Sequence, residues 1–170
     1  VVLNITNGTY DRVFGGNNLS GTIRGKITVN VEETGCRPVI IGELYGGGNQ
    51  AGYSVYGYDV DTDGNVTLKE SGDSRWDDPQ VNVKSFTSIG TVYGGGYGAG
   101  ATMVGDPTVN INVANGKYYD SDSSVLGDDA QTTGGYPVPS HAKNTIGAIG
   151  KVFGGGNAAK VIGDTHVNIG

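Results

Sequence analysis

The chain has 170 residues, of which 32 are glycine, and a formal net charge of −6. The glycines keep no three-residue period, so the sequence is not that of collagen. No apolar run is long enough to span a membrane as a helix, and no basic patch predicts contact with a nucleic acid or an anionic membrane surface. Val and Ile outnumber Leu and Ala, which predicts an all-β fold.

Four segments share one motif, in which an aromatic residue is followed by two or three glycines. They are residues 13–17, 44–49, 92–97 and 152–157, and the last three are preceded by Ile-Gly-x. A motif that recurs within about 20–50 residues, with insertions between copies, is typical of a solenoid. The sequence therefore predicts one domain over residues 1–170, a right-handed parallel β-helix (β-solenoid) of about four coils.

Each motif leads into a short strand in which β-branched residues alternate with Thr or Asn. These predicted strands cover residues 26–31, 65–68, 108–113 and 166–169. Alternation places Val and Ile on one buried face. The opposite face then carries Asn30, Asn110 and Asn168, with Thr67 in the second repeat. We expect this polar row on the outside, as a ladder of side-chain hydrogen bonds or as a flat surface for glycans.

The glycine tracts predict corners between strands. Glycine adopts positive φ without a steric penalty, so we expect the triplets to use it at tight corners. The aromatic residue before each tract is predicted to stack on its counterpart one coil away. These residues are Phe14, Tyr45, Tyr93 and Phe153.

The acidic residues are concentrated in two predicted insertions, residues 59–80 and 115–143, while the rest of the chain is close to neutral. Asp63-Gly64 and Asn115-Gly116, within these segments, are typical hairpin turns. They support an alternative fold, an antiparallel β-sandwich.

The first insertion contains a candidate calcium loop. Asp59, Asp61, Asp63, Asn65 and Glu70 match its pattern, since three Asp at alternate positions and a later bidentate Glu supply the oxygens that Ca²⁺ prefers. The flanks are not helical, however, and a plain acidic turn at Asp63-Gly64 is the alternative.

Aromatic residues in the insertions and the loop before them are candidate contacts for a glycan, because sugar rings stack on aromatic rings. They are Tyr56, Tyr58, Trp76, Tyr118 and Tyr119. Such residues also serve to anchor a loop on its scaffold.

Residues 149–169 nearly spell Ile-Gly-x-Val-Phe-Gly-Gly-Gly-Asn-x-Ala-x-Val-x-Gly-Asp-Thr-x-Val-Asn-Ile. This string resembles the glycine-rich repeats of very large, adhesin-like surface proteins of gut Bacteroidetes. The resemblance covers the four repeats and not the two insertions, and it carries no catalytic residues. It implies an extracellular or cell-surface location, and a chain that is a fragment of something longer.

Three functions follow as hypotheses. The first is a non-enzymatic structural or adhesin-like module that presents binding loops to a glycan or a host surface protein, with calcium as a stabilising ion. The second is a carbohydrate-active enzyme, a glycoside hydrolase or polysaccharide lyase, using the carboxylates of the insertions. The third is a filament subunit that associates end to end through unpaired strand edges.

Overall fold

The computed structural model of the chain describes residues 1–21, 23–33, 37–54, 58–68, 78–114, 117–118 and 146–170. These residues form strands, turns and bends, with no helix among them. In chain order the strands are β1 (Val2–Ile5), β2 (Gly8–Phe14), β3 (Ile23–Arg24), β4 (Thr28–Glu32), β5 (Val39–Tyr45), β6 (Tyr53–Ser54), β7 (Tyr58–Val60), β8 (Val66–Leu68), β9 (Gln80–Tyr93), β10 (Met103–Val104), β11 (Thr108–Ile111), β12 (Val113–Ala114), β13 (Lys117–Tyr118), β14 (Ile146–Phe153), β15 (Val161–Ile162) and β16 (His166–Ile169).

Most of these strands lie in three parallel arrays, which we call faces 1, 2 and 3. Face 1 has the order β1-β4-β9-β11-β16, and face 3 has the order β3-β6-β10-β15. In face 2, β2 pairs with β5, β5 with β9, and β9 with β14. The long strand β9 belongs to both face 1 and face 2, so these two faces form one curled sheet.

The chain passes through faces 2, 3 and 1 in turn, and each such passage is one layer of the stack. Layer 1 contains β2, β3 and β4, and layer 2 contains β5, β6 and residues 80–83 of β9. Layer 3 contains residues 86–93 of β9, β10 and β11, and layer 4 contains β14, β15 and β16. The result is an all-β, mostly parallel, curled sheet that is compatible with a β-solenoid. The alternative of an antiparallel sandwich is wrong, because antiparallel pairing among the described residues is confined to the hairpins β7–β8 and β12–β13.

One predicted strand is wrong. Residues 65–68 were expected to be the face-1 strand of the second repeat, but Val66–Leu68 pairs antiparallel with Tyr58–Val60 in a hairpin. The first residues of β9 take that place instead, with Gln80 opposite both Thr28 and Thr108. Both segments alternate in the same way, and long-range pairing decides between them.

The core is a column of aliphatic side chains enclosed by the three faces. The predicted alternation is confirmed, because Val29, Val31, Val81, Val83 and Val109 are almost completely buried. Further core residues come from faces 2 and 3, namely Val39, Ile41, Leu44, Ile89, Val92, Tyr53 and Met103.

The glycine corners form for a different reason than expected. The described glycines with positive φ are Gly8, Gly21, Gly25, Gly64, Gly98, Gly105 and Gly163, and none of them belongs to a motif tract. A Cβ added at Gly47 would instead lie 2.8 Å from the backbone nitrogen of Gly96 in the next layer. The tracts are glycine because successive layers touch backbone to backbone at this corner.

The predicted aromatic stack is confirmed. The rings of Phe14 and Tyr45 have centroids 4.8 Å apart, those of Tyr45 and Tyr93 4.7 Å apart, and those of Tyr93 and Phe153 5.2 Å apart, all nearly parallel. The spacing matches the distance between paired strands, so the stack follows from the register of face 2.

The predicted polar row is a hydrogen-bonded ladder, with two corrections. Its member in the second repeat is Asn82 rather than Thr67, and Asn4 extends it by one step. Each amide donates from Nδ2 to Oδ1 of the preceding one at 2.8–3.0 Å, in the order Asn168, Asn110, Asn82, Asn30 and Asn4. The central members are buried, since Asn82 is 6 % exposed and Asn110 4 % exposed.

Candidate functional site

The acidic hairpin β7–β8 contains most of the candidate calcium ligands. Asp61 closes its turn, because its Oδ1 accepts the backbone N–H groups of Asp63 and Asn65, both at 2.9 Å. Its Oδ2 accepts the Asn65 side-chain amide, also at 2.9 Å. The hydrogen bond from the Asn65 side chain is the main reason that the pKa of Asp61 lies below its usual value. The Asp63-Gly64 turn of the alternative interpretation is therefore formed.

Calcium binding by this hairpin stays a prediction. The side chains of Asp59, Asp61, Asp63 and Asn65 are exposed, and both Asp61 oxygens already accept the hydrogen bonds of the turn. Glu70, the candidate bidentate ligand, lies outside the described residues. Within the described part of the chain, no group of three or more His, Cys, Asp or Glu side chains is arranged to hold a metal ion.

The candidate glycan contacts are only partly described. Tyr56, Trp76 and Tyr119 lie outside the described residues. The backbone of Tyr58 is in β7, and that of Tyr118 is in β13, so each belongs to a short antiparallel pair. No described contact brings the two hairpins together.

A polar and aromatic cluster that the sequence analysis missed lies at the glycine corner. The Nε of Arg12 lies 2.8 Å from Oε2 of Glu43, and its guanidinium lies 4.9 Å from the ring centre of Tyr97. The Tyr45 hydroxyl donates to Glu43 at 3.0 Å and accepts from the Asn157 side chain at 3.1 Å. The sequence signal was Tyr97 itself, which replaces the asparagine that ends the second and fourth motifs.

Burial raises the pKa of two stacked tyrosines at this corner. Desolvation raises the pKa of Tyr45 to about 12, and the neighbouring Glu43 carboxylate adds to the shift. Desolvation also raises the pKa of Tyr93, which stacks on Tyr45. Both phenols are therefore neutral at ordinary pH, and their stacked positions indicate a structural role.

Carboxylates at the corner that leads into face 1 also have structural partners. The backbone N–H of Asp106 donates to Oδ1 of Asp78 at 3.1 Å, and the N–H of Asp164 donates to Oδ1 of Asp106 at 2.8 Å. Asp78 is 6 % exposed. Because its carboxylate caps the next layer, Asp78 is not placed as one of two free acids across a cleft. Its sequence neighbour Asp77 lies outside the described residues.

A small cavity of about 330 Å³ opens beside the exposed end of the asparagine ladder. Its floor contains an ion pair in which the Lys84 ammonium lies 3.1 Å from Oε2 of Glu32. The lining residues are Asn4, Ile5, Thr6, Asn30, Glu32 and Lys84. It presents amide, carboxylate and ammonium groups but no aromatic ring. No local sequence pattern predicts it, because its walls come from three separate strands.

Among the described residues, no helix is long and apolar enough to cross a membrane. Comparison of the chain with models of protein families, with curated proteins and with solved structures finds no match.

Proposed function

We propose that this chain is a non-enzymatic, extracellular, adhesin-like module. In this proposal a right-handed β-solenoid of about four coils is the scaffold, and the two acidic insertions are the binding loops. The observation that carries the proposal is the continued strand pairing of the layers across both insertions.

Across the first insertion, residues 28–31 of β4 stay in register with residues 80–83 of β9, before a bulge that follows Val31. Before the insertion, β4 supplies Thr28 and Asn30, and after it β9 pairs with them through Gln80 and Asn82. The second insertion separates β11 from β14, yet Ile149 and Phe153 of β14 still lie opposite Ile89 and Tyr93 of β9. A scaffold whose strands still pair layer on layer across long insertions is suited to presenting loops.

Each insertion begins in a similar way. The hairpin β7–β8 follows β6, and the hairpin β12–β13 follows β11, so short antiparallel pairs project from a parallel stack. Tyr58 and Tyr118 lie in these hairpins. We propose that they, with Tyr56, Trp76 and Tyr119, contact a glycan, and that Ca²⁺ stabilises the first hairpin through Asp59, Asp61, Asp63, Asn65 and Glu70.

A glycan array tests this function. The native chain is expected to bind a subset of glycans, and Trp76→Ala or Tyr118→Ala is expected to remove that binding. Tyr10→Ala is the matched control, because Tyr10 is an exposed tyrosine of the scaffold edge, far from the insertions in sequence. A silent array, or equal binding by all four chains, would contradict the proposal.

A further inference from the structure

Two glycine positions in each of layers 2, 3 and 4 face the preceding layer. A Cβ added at Gly42, Gly90 or Gly150 would lie 2.5 Å from a backbone carbonyl oxygen of the preceding layer. The third glycine of the motif also faces the preceding layer. A Cβ at Gly48, Gly96 or Gly156 would lie 2.6–2.7 Å from the equivalent carbonyl oxygen of that layer, and 2.6–2.8 Å from an alanine of its own layer. No side chain fits at either position when a layer is stacked on that side.

Layer 1 has side chains at both positions. The first is Asp11. Its neighbours Tyr10 and Arg12 pair with Ile41 and Glu43, the two neighbours of Gly42, so Asp11 is the counterpart of Gly42.

The second is Asn17. Its backbone carbonyl accepts the N–H of Asn49, and the carbonyl of Gly48 accepts the N–H of Tyr97 in the same way, so Asn17 is the counterpart of Gly48. A further layer placed in register before β2 and β3 would press its carbonyl oxygens onto the Cβ atoms of Asp11 and Asn17.

At the opposite end of the stack, layer 4 has the complete glycine motif but no layer that covers it. The second glycine of the motif faces the following layer, and a Cβ at Gly16, Gly47 or Gly95 would lie 2.7–2.8 Å from a glycine nitrogen there. At Gly155, the same position in layer 4, a Cβ meets nothing within 4 Å. Phe153, at the end of the aromatic stack, is 45 % exposed. Layer 4 thus keeps the full motif and exposes it.

We propose that layer 1 is a cap, and that the surface formed by β14, β15 and the corner 154–156 is a docking surface for one further layer of the same glycine repeat. The occupant must carry glycine at both positions where layer 1 has Asp11 and Asn17. This geometry continues the contact that already joins layers 2, 3 and 4, in which glycine packs on glycine and an aromatic ring on an aromatic ring.

A second copy of this chain does not provide that layer head to tail. Its Asp11 and Asn17 would meet the backbone of layer 4. Arg12, Glu43, Thr91 and Lys151 share one row of face 2, so Lys151 would also face the arginine of the second copy. Moreover β1 pairs with β4 on face 1, and the β1 of a second copy would need the place that β16 occupies. The native chain therefore does not form head-to-tail filaments through these ends.

Two extended chains test the proposal. In the first, a copy of residues 33–54 is appended after Gly170, so that the appended strand can pair with β14. In the second, the appended copy is identical except that Asp and Asn replace the residues corresponding to Gly42 and Gly48. Both carry the counterpart of Glu43 next to Lys151, so charge is matched at that position.

We expect the glycine version to slow amide hydrogen exchange in Ile149–Phe153 and to raise the unfolding midpoint, and the Asp/Asn version to match the native chain in both measurements. Equal protection by the two versions, or no protection by the glycine version, would overturn the proposal. Sedimentation of the native chain gives an independent readout, with a monomer expected. Head-to-tail oligomers of the native chain would also overturn it.

Discussion

Gly95 and Gly155 hold the same place in successive layers, but only Gly95 is covered. A Cβ at Gly95 would lie 2.7 Å from the backbone nitrogen of Gly156, whereas one at Gly155 has open space. We expect Gly95→Ala to destabilise the fold by about 1–3 kcal/mol, because backbone in a packed layer yields little. Gly155→Ala is expected to stay within about 0.5 kcal/mol of the native chain. Denaturant unfolding checks this pair, and equal losses would show that layer contact is not why these positions are glycine.

Tyr45 predicts a loss of stability at alkaline pH. Its pKa is about 12 in the folded chain against 10.0 for an unperturbed tyrosine, so the folded state favours the neutral phenol. The stabilisation linked to this shift is complete below pH 10 and is lost as the pH rises from 10 towards 12. Measured as unfolding free energy against pH, the alkaline loss should be smaller in Tyr45→Phe, which cannot ionise. An unchanged profile in that variant would assign the loss to other groups.

The asparagine ladder acts as one element across five strands. Asn110→Ala removes a donor to Asn82 and an acceptor for Asn168, and it leaves the Asn82 oxygen without that donor at a buried site. We expect a cost of about 1–3 kcal/mol, measured by chemical denaturation.

Asn4→Ala is the matched control for the ladder. Asn4 lies at the exposed end and accepts one side-chain hydrogen bond, from Asn30. Its loss should cost less than the loss of Asn110. A larger effect at Asn4 would indicate that the ladder is not a buried, cooperative element.

The hairpin β7–β8 allows a direct test of calcium. If its oxygens bind Ca²⁺ in the folded chain, millimolar Ca²⁺ should raise the melting temperature of chelator-treated protein. Asp59→Asn with Asp63→Asn should abolish that rise, since both changes remove charge and leave the Asp61 turn in place. No shift in the native chain would exclude a stabilising calcium site.

Sequence periodicity predicted the structural features that depend on residues close together in the chain. The inward Val and Ile side chains and the aromatic stack follow from alternation and from a repeated motif, and both are confirmed. The position of the face-1 strand in the second repeat depends on pairing between β4 and β9. Residues 65–68 and residues 80–83 have the same alternating pattern, so the sequence alone does not show which of the two segments pairs with β4. The reason for the glycines was also missed, because contact between Gly47 and Gly96 exists only once layers stack.

The candidate site was less predictable than the scaffold. The cluster of Arg12, Glu43, Tyr45, Tyr97 and Asn157 combines residues from four layers, and no local pattern links them. The insertions have no counterpart in the other repeats, so the repeat cannot predict how their aromatic residues are arranged.

At the scale of the whole molecule, scaffold and loops are predicted to be separable. The stack contains a short counterpart of each insertion. Gly105 alone separates Val104 from Asp106, at the place where residues 55–77 separate Ser54 from Asp78. Lys84-Ser85 separates Val83 from Phe86, at the place where residues 112–145 separate Ile111 from Ile146. Replacing residues 55–77 by one glycine and residues 112–145 by Lys-Ser should therefore leave a folded scaffold. Circular dichroism and cooperative unfolding at a midpoint close to that of the native chain are the expected signs. Loss of cooperative unfolding would indicate that the insertions are part of the fold.

Glycan binding by this loopless chain, measured beside the native chain on one array, tests the central claim most directly. The proposed function predicts that the native chain binds and that the folded, loopless scaffold does not. Equal binding by the two chains would contradict it, because recognition would then lie on the scaffold and not in the loops.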